Sequence, residues 1–373
     1  MSKYLKVDYV NLGLQFKNLE QEITDKFVEI SSKGSYVLGE ELKDFEELFS
    51  EYCGTSYAVG VGNGSDAIFF SLLALGIGHG DEVITTPNSF IATAWTIINI
   101  GAKPVFVDIG DDYNIDPNKI ESAITSNTKA IIPVHLTGKI SKMDEILEIS
   151  KKHNLYVIED SAQAVGATLD DKKAGSFGIT GCFSLHPLKN LHVHGDGGMV
   201  TTNDKKIYNY LNKVRNHGLV NRDECEFWGY NSRLDEIQAA IGKIKLPYLN
   251  QWNEKSRKIA YKYTENLRDN VGVPIDKDNE KPVYQTYVIN TDYRDELQNH
   301  LHKLGVETKI HYPIPIHLQE SAKKLGYSKG DFPITEKQSS RILSLPIYPE
   351  MREDQIDHVI KSVNAFFLKS NKL

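Results

Sequence analysis

Lys189 is the residue whose local sequence best suits it to covalent chemistry. It stands in GCFSLHPLKNLHVHGDGGMVTT, with Ser184 before it and a glycine-rich turn, Gly195-Asp196-Gly197-Gly198, after it. A neutral lysine amine adds to carbonyl carbon and can then carry a proton. On an ordinary surface loop the same residue is a solvated charge. Three further segments bear on the choice. VIEDSAQAVGA sets Asp160 and Gln163 just after a buried run, ITTPNSFIATA sets Phe90 after another, and GNGSDA sets Gly64 and Ser65 at a helix start. Each has a plain structural use as well. A carboxylate can cap a helix, a phenylalanine can fill a core, and glycine-serine at a helix start serves equally as an N-cap or a phosphate cradle.

The elements that must hold these residues alternate from Tyr57 onward. Residues 58–62, 82–86, 104–109, 129–136 and 155–160 read as strands. Helical stretches follow GNGSDA, cover 91–100 and cover 143–154. Such alternation predicts a mostly parallel sheet with helices on both faces, an α/β fold. Ligands in such sheets bind beyond the carboxyl ends of the strands. The segments there are 63–66, 87–90, 135–138, 160–163 and 186–189, which contain the candidates above. An amine, an acid, a flat apolar face and a phosphate cradle at one sheet edge match what pyridoxal 5′-phosphate (PLP) requires.

The pattern changes near Gly242. A polar, aromatic-studded helical stretch covers 235–268, interrupted at Pro247. A strand over 283–291, a helix over 294–304, a strand at VETKI (306–310) and a helix over 354–367 follow. We expect a large cofactor-binding domain over residues 1–242 and a smaller C-terminal α+β domain over 243–373. No internal repeat or low-complexity linker separates them.

The 373 residues carry 43 Lys and Arg against 50 Asp and Glu, a formal net charge of -7. That balance argues against a nucleic-acid-binding surface over the whole protein. The N-terminal MSKYLKVDYVNLGLQF has no continuous apolar run, so neither a signal peptide nor a membrane span is expected. Cys53, Cys182 and Cys225 form no CxxC pair and fit reduced thiols of a cytoplasmic protein. His186, His192 and His194 lack the cysteine or carboxylate partners of a metal shell, so no metal is expected.

In combination GNGSDA, PNSFIATA, EDSAQA, FSLHPLKNL…GDGG and GYNSRLDEIQAA make the chain resemble the fold-type-I, PLP-dependent sugar aminotransferases of the DegT/DnrJ/EryC1 family. The resemblance runs from YVLG at 36–39 to LSLPIYPEM near the end. It implies that Lys189 forms the Schiff base and Asp160 pairs with the pyridine nitrogen. It also implies that Gln163 approaches the ring hydroxyl, Phe90 stacks on the ring, and Gly64, Ser65 and Ser184 hold the phosphate. Asn231, in GYNSR, resembles the asparagine that reaches the neighbouring subunit's cofactor, which implies a homodimer with shared active sites. The family implies transfer from L-glutamate to a keto group of a nucleotide-linked deoxysugar, for surface-glycan or other amino-sugar biosynthesis.

Two segments lean towards C3 of the sugar. The lysine loop continues to GDGG where C4 enzymes resemble K-T-I-T-T-x-E-G-G, and HYPIPIHLQ at 311–319 resembles C3 relatives. His186, His194, Tyr312 and His317 are then candidate sugar contacts; His317 serves equally as a structural hydrogen-bonder. His192 and His194 depart from the small or apolar residues usual in C3 relatives. A C4 aminotransferase, a PLP- or PMP-dependent sugar dehydratase and a non-catalytic regulator are the alternatives. The presence of Lys189 disfavours the dehydratase, and the complete residue set disfavours the regulator.

Overall fold

The computed structural model describes residues 5–370, and its spine is a sheet buried on both faces. The chain enters through two helices, α1 (Leu12–Lys33) and α2 (Glu40–Cys53). Then β1 (Tyr57–Val61), α3 (Gly64–Ala74), β2 (Glu82–Thr85), α4 (Ile91–Asn99), β3 (Lys103–Phe106), β4 (Thr128–Ile131), α5 (Met143–His153) and β5 (Tyr156–Asp160) follow. A short hairpin, β6 (Thr168–Leu169) and β7 (Lys172–Lys173), leaves the sheet before β8 (Thr180–Ser184) and β9 (Gly198–Thr202) return to it. The order is β1-β9-β8-β5-β4-β2-β3. Only β9 runs against the rest, so the pairings from β8 to β3 are parallel and the α/β expectation holds.

Strand alternation sends neighbouring side chains to opposite layers. Ala58, Phe183 and Met199 join the core under α1, α2 and α7 (Glu236–Lys245). Val59, Cys182 and Val200 join the core under α3 and α6 (Lys205–Val214). The parallel arrangement brings the carboxyl ends of β1, β2, β4, β5 and β8 to one edge. Each following segment starts there.

Local chemistry sets several helix ends. Asn63 caps α3, its Oδ1 accepting the Asp66 amide at 2.9 Å. Gly54 ends α2 in the left-handed region at φ 74°, which glycine adopts without a Cβ penalty. The first turn of α2 is capped from far away. Buried Glu236 accepts from the amides of Gly39, Glu41 and Leu42 at 2.8, 3.0 and 3.1 Å. That contact ties YVLG to LDEIQAA and explains both segments structurally.

Beyond α7, a 3₁₀ turn at Leu246–Tyr248 containing Pro247 separates α8 (Leu249–Leu267), as the proline predicts. Next come the short strand β10 (Glu280–Lys281), which pairs with β6, then β11 (Tyr287–Asn290), α9 (Arg294–Lys303), α10 (Pro333–Arg341), β12 (Ile342–Leu345) and α11 (Glu353–Ser370). β11 and β12 pair antiparallel, and a core of Tyr263, Tyr287, Leu297, Leu343, Val359 and Phe367 forms around them. Val7, from the other end of the chain, is buried in that same core.

Four strands differ from expectation, the one expected over 104–109 ending already at Phe106. VETKI is no strand; Val306 and Lys309 make isolated bridges to Val7 and Ser344. The strand expected over 283–291 shortens to β11 because Tyr284 takes a positive φ of 49°, which breaks the extended run. The strand expected over 129–136 stops at Ile131. Pro133 offers no amide to a ladder, and only Val134 bridges onward, to Asp160. The first two helices gave no reading in the sequence.

Candidate active site

Asp160 is the last residue of β5 and is 5% exposed. Its Oδ2 accepts from Thr93 Oγ1 at 2.7 Å and its Oδ1 from the Ala162 amide at 3.2 Å. The Thr93 hydroxyl has one proton, committed to the carboxylate, so Ser89 Oγ, 2.7 Å away, donates to Thr93. Both hydroxyls flank Phe90, which begins α4 and keeps 56% of its surface exposed. An aromatic face left open beside a fixed carboxylate suits a flat heterocycle.

Gln163 is held from two sides. Its Oε1 accepts the Thr137 amide at 2.8 Å and its Nε2 donates to the Tyr312 hydroxyl at 3.3 Å. The Tyr312 ring lies 5.9 Å from that of Phe90, centroid to centroid. Burial, with the Asp160 carboxylate adding to it, pushes the Tyr312 phenol up, so it stays protonated.

At the α3 N-terminus, Gly64 is a packing requirement. A Cβ there would fall 2.7 Å from Ser184 Cβ. The close approach puts the free first-turn amides of α3 beside the Ser184 hydroxyl at the end of β8, an arrangement suited to an anion. Ser184 Oγ accepts the His186 amide at 3.3 Å.

Lys189 follows in the β8–β9 connection. Its amine makes no hydrogen bond or ion pair among the described residues. Burial pushes its pKa down, and Asp160 is the charged group that opposes the shift. His311 lies close enough for the two to repel. Burial first, and then the charge of Lys189, hold that imidazole down to about 4. Lys189, His192 and His311 line one hollow together with Tyr9, Trp252 and Glu350.

The remaining candidates scatter. His186 is exposed beside Lys189, its Nδ1 accepting the Leu188 amide at 3.2 Å. His194 faces another way. Its ring lies 5.8 Å from Phe16, and its backbone is clamped by Gln238 through bonds of 2.8 and 3.1 Å. His317 is 2% exposed, bonds Glu336 through Nε2 at 3.0 Å and packs on Phe332. Those contacts belong to a small aromatic cluster near β3. Asn231 is exposed, in the connection before α7.

Sequence reasoning passed over Thr93 and His311. Both stand inside segments it quoted, PNSFIATA and HYPIPIHLQ. A hydroxyl on a buried helix face, next to a carboxylate after a buried strand, was the available signal for Thr93. Thr93→Val is expected to lower kcat about 10-fold while leaving KM for the amino donor nearly unchanged, because one hydrogen bond to a charged group orients Asp160. Steady-state kinetics checks it; an unchanged kcat would remove Thr93 from the site.

A model of the DegT/DnrJ/EryC1/StrS aminotransferase family matches residues 17–364. The chain belongs to that family. A pleiotropic regulatory protein of Geobacillus stearothermophilus is 43% identical over 97% of this chain and 99% of its own length. The dTDP-3-amino-3,6-dideoxy-alpha-D-galactopyranose transaminase of Aneurinibacillus thermoaerophilus is 42% identical, with coverage of 98% and 99%. Among solved structures, DesV of S. venezuelae in complex with a ketimine intermediate superposes at a TM-score of 0.95, with 37% identity and coverage of 97% and 98%.

The protein is thus a sugar aminotransferase, and its cofactor is PLP. The donor set fits that cofactor. An amine without a partner among the described residues, a carboxylate held at two oxygens, an open aromatic face and a helix N-terminus against a serine hydroxyl meet at one edge. Among the described residues no helix is long and apolar enough to cross a membrane.

Proposed function

We propose that this aminotransferase moves an amino group from L-glutamate to the C3 keto group of a nucleotide-linked deoxysugar, with Lys189 as the lysine that bears PLP. One observation carries the lysine assignment: a half-buried amine that lines the hollow, has no hydrogen-bond partner among the described residues and has Asp160 as its charged neighbour.

When bound, PLP supplies an aldehyde for amines and a ring that accepts electrons. Asp160, oriented by Thr93, would hold a proton at the ring nitrogen. Phe90 would cover one face, Gln163 would meet the ring hydroxyl, and Gly64, Ser65 and Ser184 would hold the phosphate. Lys189 Nζ, its pKa lowered by burial, would take a proton from the donor's α-carbon and, over the full transfer, return one to the aminated sugar carbon. Gln163 holds the Tyr312 hydroxyl near the open face of Phe90.

The C3 position is supported by the 3-amino-sugar transaminase at 42% identity and by the HYPIPIHLQ segment. His186, three residues before Lys189, and Tyr312, beside Phe90 and Gln163, remain as sugar contacts. We place His194 and His317 outside that role, on the contacts given above. A homodimer belongs to this reading. Asn231 would reach a second copy's phosphate, and exposed Trp228, 94% accessible, stands three residues before it. A cytoplasmic location and a role in glycan biosynthesis complete the proposal.

Glutamate and purified protein, mixed with 3-keto or 4-keto dTDP-sugars and read by mass, test it. Amination of the 3-keto sugar is expected. Turnover of the 4-keto sugar alone would overturn C3. The regulator at 43% identity supplies a second reading; a protein that binds PLP but aminates no keto sugar under these conditions would favour it.

A further inference from the structure

His192 lies three residues past Lys189, buried at 5% exposure, in a loop whose ends are fastened. The Val193 amide donates to the Leu185 carbonyl at 2.9 Å, and the Leu185 amide to the Gly197 carbonyl at 2.8 Å. Within that loop the His192 Nδ1 lies 3.0 Å from the carbonyl oxygen of Lys189. A carbonyl only accepts, so Nδ1 carries the proton and Nε2 keeps a lone pair. The Lys189 amide in turn donates to the His186 carbonyl at 2.8 Å. Both polar groups of Lys189's own backbone are therefore held, one by main chain and one by the imidazole.

We propose that His192 is a positioning residue for Lys189, fixing its backbone through the Nδ1–H donated to the Lys189 carbonyl and so setting where the amine stands. This rests on Lys189 being the PLP lysine.

The Lys189 side chain has no hydrogen bond among the described residues to steer it, so its aim depends on where its Cα and carbonyl are held. A small residue at 192 would leave that carbonyl without this donor. The imidazole also keeps one charge state. Burial, and then the ammonium of Lys245, hold its pKa down to about 3, and His194 and His186 push the same way. The ring stays neutral wherever the enzyme works, and its tautomer is set by the carbonyl. Its Nε2 has no hydrogen-bond partner among the described residues, so the single bond to Lys189 is its polar function in this chain.

Two variants of the PLP-loaded enzyme test the proposal, with Lys189→Ala alongside. His192→Phe keeps the ring volume and loses the donor. His192→Asn can return an N–H close to the position of Nδ1. The readouts are the pH midpoint of the visible absorbance, the split between kcat and KM for glutamate, and the melting temperature.

For His192→Phe we expect a midpoint moved by about one pH unit and kcat lowered about 10-fold or more, with KM within about 3-fold. His192→Asn is expected to restore both to within about 3-fold of the parent. An unchanged midpoint and kcat in His192→Phe would overturn the proposal. So would equal impairment of both variants, or a loss that follows melting temperature alone. If His192→Phe fails to hold PLP, His192→Asn decides by itself: parent-like values support the proposal, and failure overturns it. The Lys189 reading is judged separately. If Lys189→Ala keeps the parent's visible absorbance, that reading fails whatever His192 does.

Discussion

Lys189→Ala is expected to abolish amine transfer, by about 10⁴-fold or more, without destabilising the protein. The first half follows from the proposed role, in which the residue would be both the amine that captures the cofactor's aldehyde and the base that moves the proton. The second half follows from the surroundings of the amine. It has no hydrogen-bond partner among the described residues, and burial pushes its pKa down. A lysine pKa below its ordinary value means that folding disfavours the charged form. Removing the group relieves that cost, and alanine leaves no partner orphaned. A melting temperature equal to or above the parent's, measured on the apo forms, is therefore expected beside the lost activity and an altered visible spectrum. A variant that still transfers the amine at a tenth of the parental rate would sink the assignment. One that is strongly destabilised would contradict the burial argument.

Glu159→Ala carries the largest expected effect on stability. Glu159 precedes Asp160 in β5 and points to the other face, with no exposed surface. Its Oε1 accepts the amides of Phe177 and Gly178, each at 2.7 Å. Its Oε2 accepts the Gly175 amide at 2.7 Å and His135 Nε2 at 3.0 Å. The Ser141 amide donates to His135 Nδ1 at 3.2 Å, so Nε2 is the protonated nitrogen and the pair is complete. Alanine would leave these donors buried without an acceptor, at a cost of roughly 4 kcal/mol. Glu159→Gln keeps one acceptor oxygen and turns an NH₂ towards the other donors, so an intermediate loss is expected. Urea unfolding followed by circular dichroism checks both. A midpoint for Glu159→Ala within error of the parent would show that water replaces the carboxylate without cost.

These two neighbours show where sequence reading works. In LYVIED the alternation of a buried strand sends Glu159 and Asp160 to opposite faces. The strand end marks Asp160 for the ligand edge. Nothing local says what Glu159 meets, because its partners lie in the 175–178 turn and at His135. The helices α1 and α2 were illegible for a related reason. Their apolar faces are partly covered by α7, and the amides opening α2 are capped by Glu236, about 195 residues later in the chain. Such a helix carries no nearby capping signal, whereas α1 has a local cap that the sequence reading passed over: Asn11 Oδ1 accepts the Leu14 amide at 3.1 Å. VETKI misled in the opposite direction. Its alternation suits a strand, yet only single residues find partners, and pairing is a property of the neighbour as much as of the segment.

By itself the sequence determined the α/β class and the edge at which Gly64, Phe90, Asp160, Ser184 and Lys189 gather. Both follow from local order, since a parallel sheet brings every strand-to-helix turn to one side. Tertiary structure decided the rest. It joined Thr93 to Asp160 across 67 residues and Gln163 to Tyr312 across 149. It turned His192 inward to the Lys189 carbonyl and His194 outward to Phe16 and Gln238, although the two differ by only two positions in one loop. Hydrogen-bond partners and the direction of a loop side chain depend on what packs against the loop. The periodicity and residue types of the loop itself do not contain that information.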